Sequence, residues 1–368
     1  MARDETGRGF EILDPDGDSR ERTDGLSGSH PLVDTSGLRE RALSVDSDEC
    51  VHLQVYLLDA IKGVRHKLAG ADALGSHRVG QAAQRLGPEV HSRQATRPFR
   101  HGWPPSPIIV AMIEGIDLDH VAIAMDDVAM GWPRYRAELS GVWLGGGETP
   151  GFYCGQLEYA NGMKLELLHP CRVDENDFLA RFLARSGPGP HHLTFKVPDL
   201  PAALEEVRAT GLEPIAVNLS DPLWKEAFLH PKSAPGIVVQ LAESHDGFTP
   251  EAEPPNFPAA TANVPAALQR VAHLVADLDS ARELFVDLLA GTIANEDKTP
   301  DGHVLDLAWP GPGRLRLIEP ESEALRSWLG QRPGRVHHLR FAFDTQPEQV
   351  RVVDPENNLG TRLVIAGR

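Results

Sequence analysis

Apolar and polar positions alternate along this chain with two periods. Four stretches are apolar and mostly β-branched, and each predicts a strand: Leu-Asp-His-Val-Ala-Ile-Ala at 118 to 124, Leu-Glu-Leu-Leu-His-Pro at 165 to 170, His-His-Leu-Thr-Phe-Lys-Val at 191 to 197 and Gly-Ile-Val-Val-Gln-Leu at 236 to 241. Helical spacing lies between them. Pro133 to Leu139 reads as a crossover helix opened by its proline. Asp174 to Arg185 places Phe178, Leu179, Phe182 and Leu183 on one face, and Pro201 to Thr210 forms a third helix. Phe152 to Tyr159 and Met163 to Leu168 flank Asn161-Gly162, which predicts a hairpin with a two-residue turn. Further strands fall near Glu226 and Ile237. From Gly115 to about His245 the order is thus strand, helix, three strands, performed twice.

Each of the four strings carries one polar residue of metal-ligand type among apolar neighbours: His120, Glu166, His192 and Gln240. A single strand histidine is ordinarily a satisfied core residue. Four such residues on four successive strings form a pattern. The strings and their order resemble the vicinal oxygen chelate superfamily, which includes glyoxalase I, methylmalonyl-CoA epimerase, extradiol dioxygenases and the bleomycin-resistance proteins. Glu-Leu-Leu-His-Pro, His-His and the run His-Pro-Lys-Ser-Ala-Pro-Gly-Ile-Val-Val-Gln-Leu at 230 to 241 are most similar to the epimerase, over about residues 115 to 245.

The resemblance implies an α+β fold in which paired βαβββ modules form open curved barrels around a divalent metal. Carried over residue by residue, the ligands are His120, Glu166, His192 and Gln240. The donors are two imidazoles, a carboxylate and an amide oxygen, a set that suits Zn, Co, Ni, Mn or Fe rather than calcium. Four ligands leave two positions of a six-coordinate ion for the vicinal oxygens of a substrate. A Lewis acid so placed favours removal of a proton next to a carbonyl, hence epimerase, isomerase or lyase chemistry. Two positions depart from the epimerase pattern: Gln240 stands for the usual Glu, and Gly151-Phe-Tyr-Cys-Gly holds no acid where the base is expected. The base candidates are then Glu158 and Glu226, each weighed against a solvated strand residue. With a two-residue turn, Glu166 would face Leu157, so that Tyr153 shares its side as a substrate contact while Glu158 points away; a bulge would reverse this. Lys232 is the candidate anion contact for a carboxylate or CoA group. His169, His191 and Asp119 read as supporting or turn residues. Alternatives are an extradiol ring-cleavage dioxygenase and a non-catalytic small-molecule binding or resistance protein.

The pattern then repeats in worn form over 267 to 368, after a Pro/Ala/Glu linker at 246 to 266. Arg270-Val-Ala-His-Leu-Val-Ala, Leu315-Arg-Leu-Ile-Glu-Pro, Val336-His-His-Leu-Arg-Phe-Ala and Gly360-Thr-Arg-Leu-Val-Ile follow the four strings. On that alignment His273 and His338 take the places of His120 and His192, while Arg316 and Val364 replace Glu166 and Gln240. A degenerate, metal-free second pair is expected, with an anion at Arg316 as another use. Between Phe343 and Asp354 there is no room for the helix and strand that follow Lys196 in the first pair.

Residues 1 to 112 are polar apart from a helical stretch at Val51 to Leu68, and are expected to be a disordered extension. A formal net charge of −17 argues against nucleic-acid binding. Cys50, Cys154 and Cys171 offer no disulfide framework, and no run of about 20 apolar residues suggests a membrane span. The expectation is a cytoplasmic enzyme, a homodimer if oligomeric, acting on a small molecule with vicinal oxygens such as an acyl-CoA.

Overall fold

The computed structural model describes residues 112–244, 252–344 and 349–367. The expected extension lies outside the described residues apart from Met112, as does the start of the expected linker. The first half runs β1 (Asp117–Ala124), α1 (Pro133–Glu138), β2 (Val142–Thr149), β3 (Phe152–Glu158), β4 (Lys164–His169), α2 (Phe178–Ser186), β5 (Gly189–Lys196), α3 (Leu200–Ala209), β6 (Ile215–Asn218), β7 (Trp224–Leu229) and β8 (Val238–Ser244). The second half follows with β9 (Ala267–Val275), α4 (Leu278–Arg282 continuing as Glu283–Leu288), β10 (Thr292–Thr299), β11 (Gly302–Ala308), β12 (Arg314–Pro320), α5 (Glu323–Leu329), β13 (Gly334–Ala342), β14 (Val350–Val353) and β15 (Leu363–Ala366).

The eight-stranded first sheet has the order β2-β3-β4-β1-β5-β8-β7-β6. Its centre is the antiparallel pair β1/β5, flanked by the parallel pairs β1/β4 and β5/β8. This is the paired βαβββ arrangement, because a parallel neighbour needs a crossover and each module supplies one through its helix. The second sheet repeats the order as β10-β11-β12-β9-β13-β15-β14 with seven strands. The lost strand belongs to the last module, which also has no helix among the described residues between β13 and β14.

Each sheet has an inner and an outer face. Leu118, Val121, Leu157, Leu165, Leu193 and Phe195 point outward with the α1 and α3 side chains, and they share one core with Leu268, Val271, Leu315, Leu339 and Phe341 of the second sheet. Tyr159 packs on Phe341 with ring centroids 4.9 Å apart, and Phe195 on Trp309 at 5.2 Å. Gly236 and Gly334 allow the backbones to touch, since a Cβ on Gly236 would lie 2.1 Å from the Gly334 carbonyl oxygen. The opposite faces carry separate apolar clusters. On the first, Ala122, Ala124, Leu168 and Phe228 lie under Phe178, Leu179 and Leu183 of α2. On the second, Ala272, Leu274, Val304 and Ile318 lie under Leu325 and Leu329 of α5.

Two local expectations change, and one strand carries no sequence signal. The Asn161-Gly162 hairpin has a three-residue loop: Tyr159 N donates to Met163 O, Gly162 N to Tyr159 O, and Gly162 takes φ +82°. This is a type I turn closed by a left-handed residue. The pairing therefore moves by one, so Glu166 faces Gln156 and Leu165 faces Leu157. Second, β2 passes through Gly145, Gly146 and Gly147, which show no hydropathy pattern, yet Gly146 is required because a Cβ there would stand 2.3 Å from Cys154 O. Third, residues 252 to 266 lie against the first half: Phe257 packs edge-on to Trp132 and Trp143, and Ala266 N donates to Leu139 O.

Candidate metal centre

The ligand geometry follows from strand register. In β1/β4 Ala122 pairs with Glu166, two residues on from His120; in β5/β8 Thr194 pairs with Gln240, two residues on from His192. The two parallel pairs thus present the same offset, and the β1/β5 ladder brings both toward the centre of the inner face. Two irregularities aim the imidazoles. The ladder skips Asp119 between Leu118 and His120, and it skips His191 opposite the step from Ala122 to Ile123. Each skipped residue is a bulge that turns the histidine beside it.

His120, Glu166 and His192 offer three ligand atoms all within 4.8 Å of one another. Glu166 Oε2 lies 3.7 Å from His120 Nε2 and 3.6 Å from His192 Nε2. Both Nε2 atoms are buried with no hydrogen-bond partner. Orphaned buried nitrogens are costly, and two of them converging on a carboxylate are a donor set that fits a borderline dication. The other ring nitrogens are committed. His120 Nδ1 meets Asp119 Oδ2 at 2.9 Å, and His192 Nδ1 meets His191 Nδ1 at 2.8 Å. Asp119 is itself held by Lys164 Nζ at 2.5 Å. Gln156 Nε2 donates to Glu166 Oε1 at 3.1 Å, leaving Oε2 toward the histidines.

Charge is distributed unevenly over the triad. Burial alone would raise the Glu166 carboxyl, but the nearby imidazole of His120, with the charge of His192 and the hydrogen bond from Gln156, brings it down to about 2. Burial opposes protonation of His120, yet Asp119 and Glu166 raise it to about 9. Burial and the neighbouring His191 hold His192 well below its ordinary value.

Gln240 occupies the position in β8 that Glu166 occupies in β4, and its amide has two partners. Thr194 Oγ1 donates to its Oε1 at 2.6 Å, and its Nε2 donates to Glu226 Oε2 at 2.7 Å. Glu226 is buried at 3 % exposure and also accepts from Trp224 Nε1 at 2.9 Å. The alternative of a solvated strand residue does not hold for Glu226. It pairs with Ala242, two along from Gln240, and so lies on the inner face. Glu158 pairs with Lys164 and, by the shifted hairpin register, shares the inner face with Glu166 instead of pointing away. Tyr153 moves the other way: it packs against the outer core and stacks on His169 with centroids 5.0 Å apart. His169 is the last residue of β4, and its Nδ1 accepts from Val128 N. Lys232 is exposed in the turn after β7.

Gln156, Thr194, Trp224 and Lys196 were not singled out by the sequence. Alternation along His-His-Leu-Thr-Phe-Lys puts Thr194 and Lys196 on the His192 face, a usable signal. Lys196 Nζ sits 3.5 Å above the Trp224 ring and donates to Ser244 Oγ, and burial lowers its ammonium to about 8.

In the second sheet one correspondence is corrected. Ala272 pairs with Arg316 and with His338, as Ala122 pairs with Glu166 and His192, so the residue in the place of His120 is Arg270. His273 corresponds to Ile123 and points outward. Its Nε2 meets Pro235 O of the first half at 2.6 Å, and burial brings it down to about 4.

Residues 119–228 match the family model described as Glyoxalase/Bleomycin resistance protein/Dioxygenase superfamily. Among solved structures, a hypothetical protein from Bacillus halodurans is 28 % identical, covering 38 % of this chain and 100 % of its own, with a TM-score of 0.33. Methylmalonyl-CoA epimerase from Mycobacterium tuberculosis is 25 % identical, covering 35 % of this chain and 88 % of its own, with a TM-score of 0.32. A single-residue variant of Streptomyces coelicolor methylmalonyl-CoA epimerase, in complex with 2-nitronate-propionyl-CoA, is 26 % identical, covering 36 % of this chain and 97 % of its own, with a TM-score of 0.32. No curated protein matches the chain. No helix among the described residues is long and apolar enough to cross a membrane.

Proposed function

We propose that this chain, whose residues 119–228 carry a domain of the Glyoxalase/Bleomycin resistance protein/Dioxygenase superfamily, is a divalent-metal-dependent isomerase or lyase that removes a proton next to a carbonyl. Epimerisation of a 2-substituted acyl-CoA is the specific expectation, on the strength of the strings around His120, Glu166, His192 and Gln240. The observation that carries the reading is the convergence of two orphaned imidazole nitrogens and one carboxylate on a wall that also bears a buried, oriented glutamate.

His120, Glu166 and His192 would hold the ion, with Gln240 Oε1 as the fourth donor. A bound dication would supply Lewis acidity for negative charge developing on a carbonyl oxygen. Glu226 is the base. Trp224 and Gln240 both donate to its Oε2 and so fix the plane of the carboxylate, which is what positioned proton transfer requires. Glu158 stands on β3, in the opposite arm of the sheet from β7, and would return a proton to the other face of the planar carbon. The apolar cluster of Ala122, Ala124, Leu168 and Phe228 under α2 backs the strands that carry the ligands. Lys232 would meet an anionic end of the substrate outside the cup. The same reading includes a cytoplasmic location, no nucleic-acid or membrane partner, and a homodimer to be tested by sedimentation.

The test is metal analysis of the purified chain followed by solvent deuterium incorporation into 2-substituted acyl-CoAs. Exchange at the α-carbon, lost in Glu226→Gln with metal retained, supports the reading; no exchange with any of them counts against it. One observation keeps a second reading open. Because Gln240 is engaged by Thr194 and Glu226, a three-ligand site would leave three open positions, as an extradiol dioxygenase needs. Oxygen uptake with catechols and ferrous ion would favour it.

A further inference from the structure

We infer, on the reading of Glu226 as the base, that Thr194 and Lys196 are positioning residues: from β5 they aim Glu226 through two arms that end on the same carboxylate oxygen. Alternation along β5 puts His192, Thr194 and Lys196 on one face. In the parallel β5/β8 ladder Thr194 pairs with Gln240 and Lys196 with Ala242, and in β7/β8 Glu226 pairs with Ala242 and Trp224 with Ser244. Ala242 stands between Lys196 and Glu226, and its small methyl group lets the lysine stem cross β8 to Ser244 and Trp224.

The first arm runs through the Gln240 amide. An ionised carboxylate only accepts hydrogen bonds, so the group against Glu226 Oε2, at 2.7 Å, is the amide nitrogen of Gln240. Gln240 Oε1 then points at Thr194, whose hydroxyl donates to it at 2.6 Å. Thr194, Gln240 and Glu226 are 0 %, 6 % and 3 % exposed, so bulk water cannot replace a lost partner. Without the hydroxyl, Oε1 loses its buried donor, which favours turning of the amide. The turned amide would set Oε1 against Glu226 Oε2, acceptor on acceptor. The second arm runs through Trp224. Lys196 Nζ lies 3.5 Å above the indole ring and donates to Ser244 Oγ at 2.7 Å. A cation on its face holds the ring in place, and Trp224 Nε1 donates to Glu226 Oε2 at 2.9 Å. The strand that carries His192 thereby also sets where Glu226 points, so the ligand and the base keep one geometry.

The experiment uses the full chain carrying Thr194→Val or Lys196→Met, each read at the arm it does not touch. By NMR, without substrate, Thr194→Val should move the Trp224 indole N–H resonance and Lys196→Met the Gln240 side-chain amide resonances, because both arms share Glu226 Oε2. Thr194→Ser and Lys196→Arg should hold these far signals at their parental positions. In the deuterium-exchange assay Thr194→Val and Lys196→Met should each lower the rate at saturation by about ten- to a hundredfold, with KM within about threefold of the parent. Metal content should stay parental, and the two conservative variants should recover most of the rate. Should Thr194→Val fail to fold, the half-buried Lys196 still carries the test. Far signals that stay put in the folded variants, parental exchange in either, a loss confined to KM, or failure of Thr194→Ser to restore the rate would each overturn the inference. A parent without exchange would instead fail the proposed activity, and the far signals, which need no substrate, tell the two failures apart.

Discussion

Where β1 meets β4 and β5, the first sheet presents His120, Glu166 and His192; where β9 meets β12 and β13, the second presents Arg270, Arg316 and His338. Much of the apolar layer beneath keeps its positions. Ala122 answers to Ala272, Ala124 to Leu274 and Leu168 to Ile318, and a short helix closes each cluster. Strand order, the bulges beside the first ligand and the His-His pair recur as well. The outer faces of both sheets build the shared core, so residues that project inward can change without unfolding the barrel. Chemistry sits on the fold as a replaceable ring of side chains. In one half the ring suits a cation. In the other, fixed guanidinium charge at close range repels one.

The largest effect expected from breaking this contrast is in metal binding. Glu166→Ala should remove stoichiometric metal, since it deletes the carboxylate both imidazoles face, while the circular dichroism spectrum stays parental. Arg316→Ala should leave metal content unchanged. Retention of a full equivalent in Glu166→Ala, with adventitious binding excluded, would count against the assignment.

Next comes the joint between halves. His273 is buried neutral, with its value down to about 4 against an ordinary 6.5. A depressed histidine favours folding when unprotonated, so its contribution is complete above pH 6.5 and is lost as pH falls toward 4. The loss amounts to about 3 kcal/mol at most. Urea unfolding at a series of pH values should show the parent's advantage over His273→Leu shrinking across that window. Parallel pH profiles would remove His273 from the joint.

Asp119→Asn should weaken metal binding by about 10–100-fold without abolishing it, because Asp119 orients His120 through Nδ1. An unchanged affinity would mean that Lys164 and Asp119 are only a surface pair. A smaller effect, about tenfold tighter metal binding, is expected of Gln240→Glu, accompanied by proton release on binding, since the new carboxylate would share a proton with Glu226 until the metal displaces it. Calorimetry in buffers of different ionisation enthalpy reads both; affinity that does not move would place position 240 outside the shell.

These comparisons also show where hydropathy is informative. The central strands were legible because both faces of β1 and β5 are buried and leave long apolar runs. The ring residue Arg270 was hidden because histidine was matched to histidine. The apolar frame of Leu118, Val121 and Ala122 against Leu268, Val271 and Ala272 carries the true alignment. Asn161-Gly162 marked the hairpin, but not whether its loop held two or three residues, and that single residue decides which of Tyr153 and Glu158 faces Glu166. β2 is interrupted by Gly145, Gly146 and Gly147, which leave its middle no side chains to pattern. The convergent side chains His120, Glu166 and His192 were readable from the strings as candidate ligands, whereas the engagement of Gln240 by Thr194 and Glu226 depends on β7, which pairs across a turn that sequence does not register.

The contrast between the two rings is tested most directly by counting metal in the full chain. After loading and dialysis, the account expects one equivalent per chain, lost in Glu166→Ala and kept in His338→Ala. Two equivalents in the parent, or one that disappears with His338 and survives without Glu166, would contradict it.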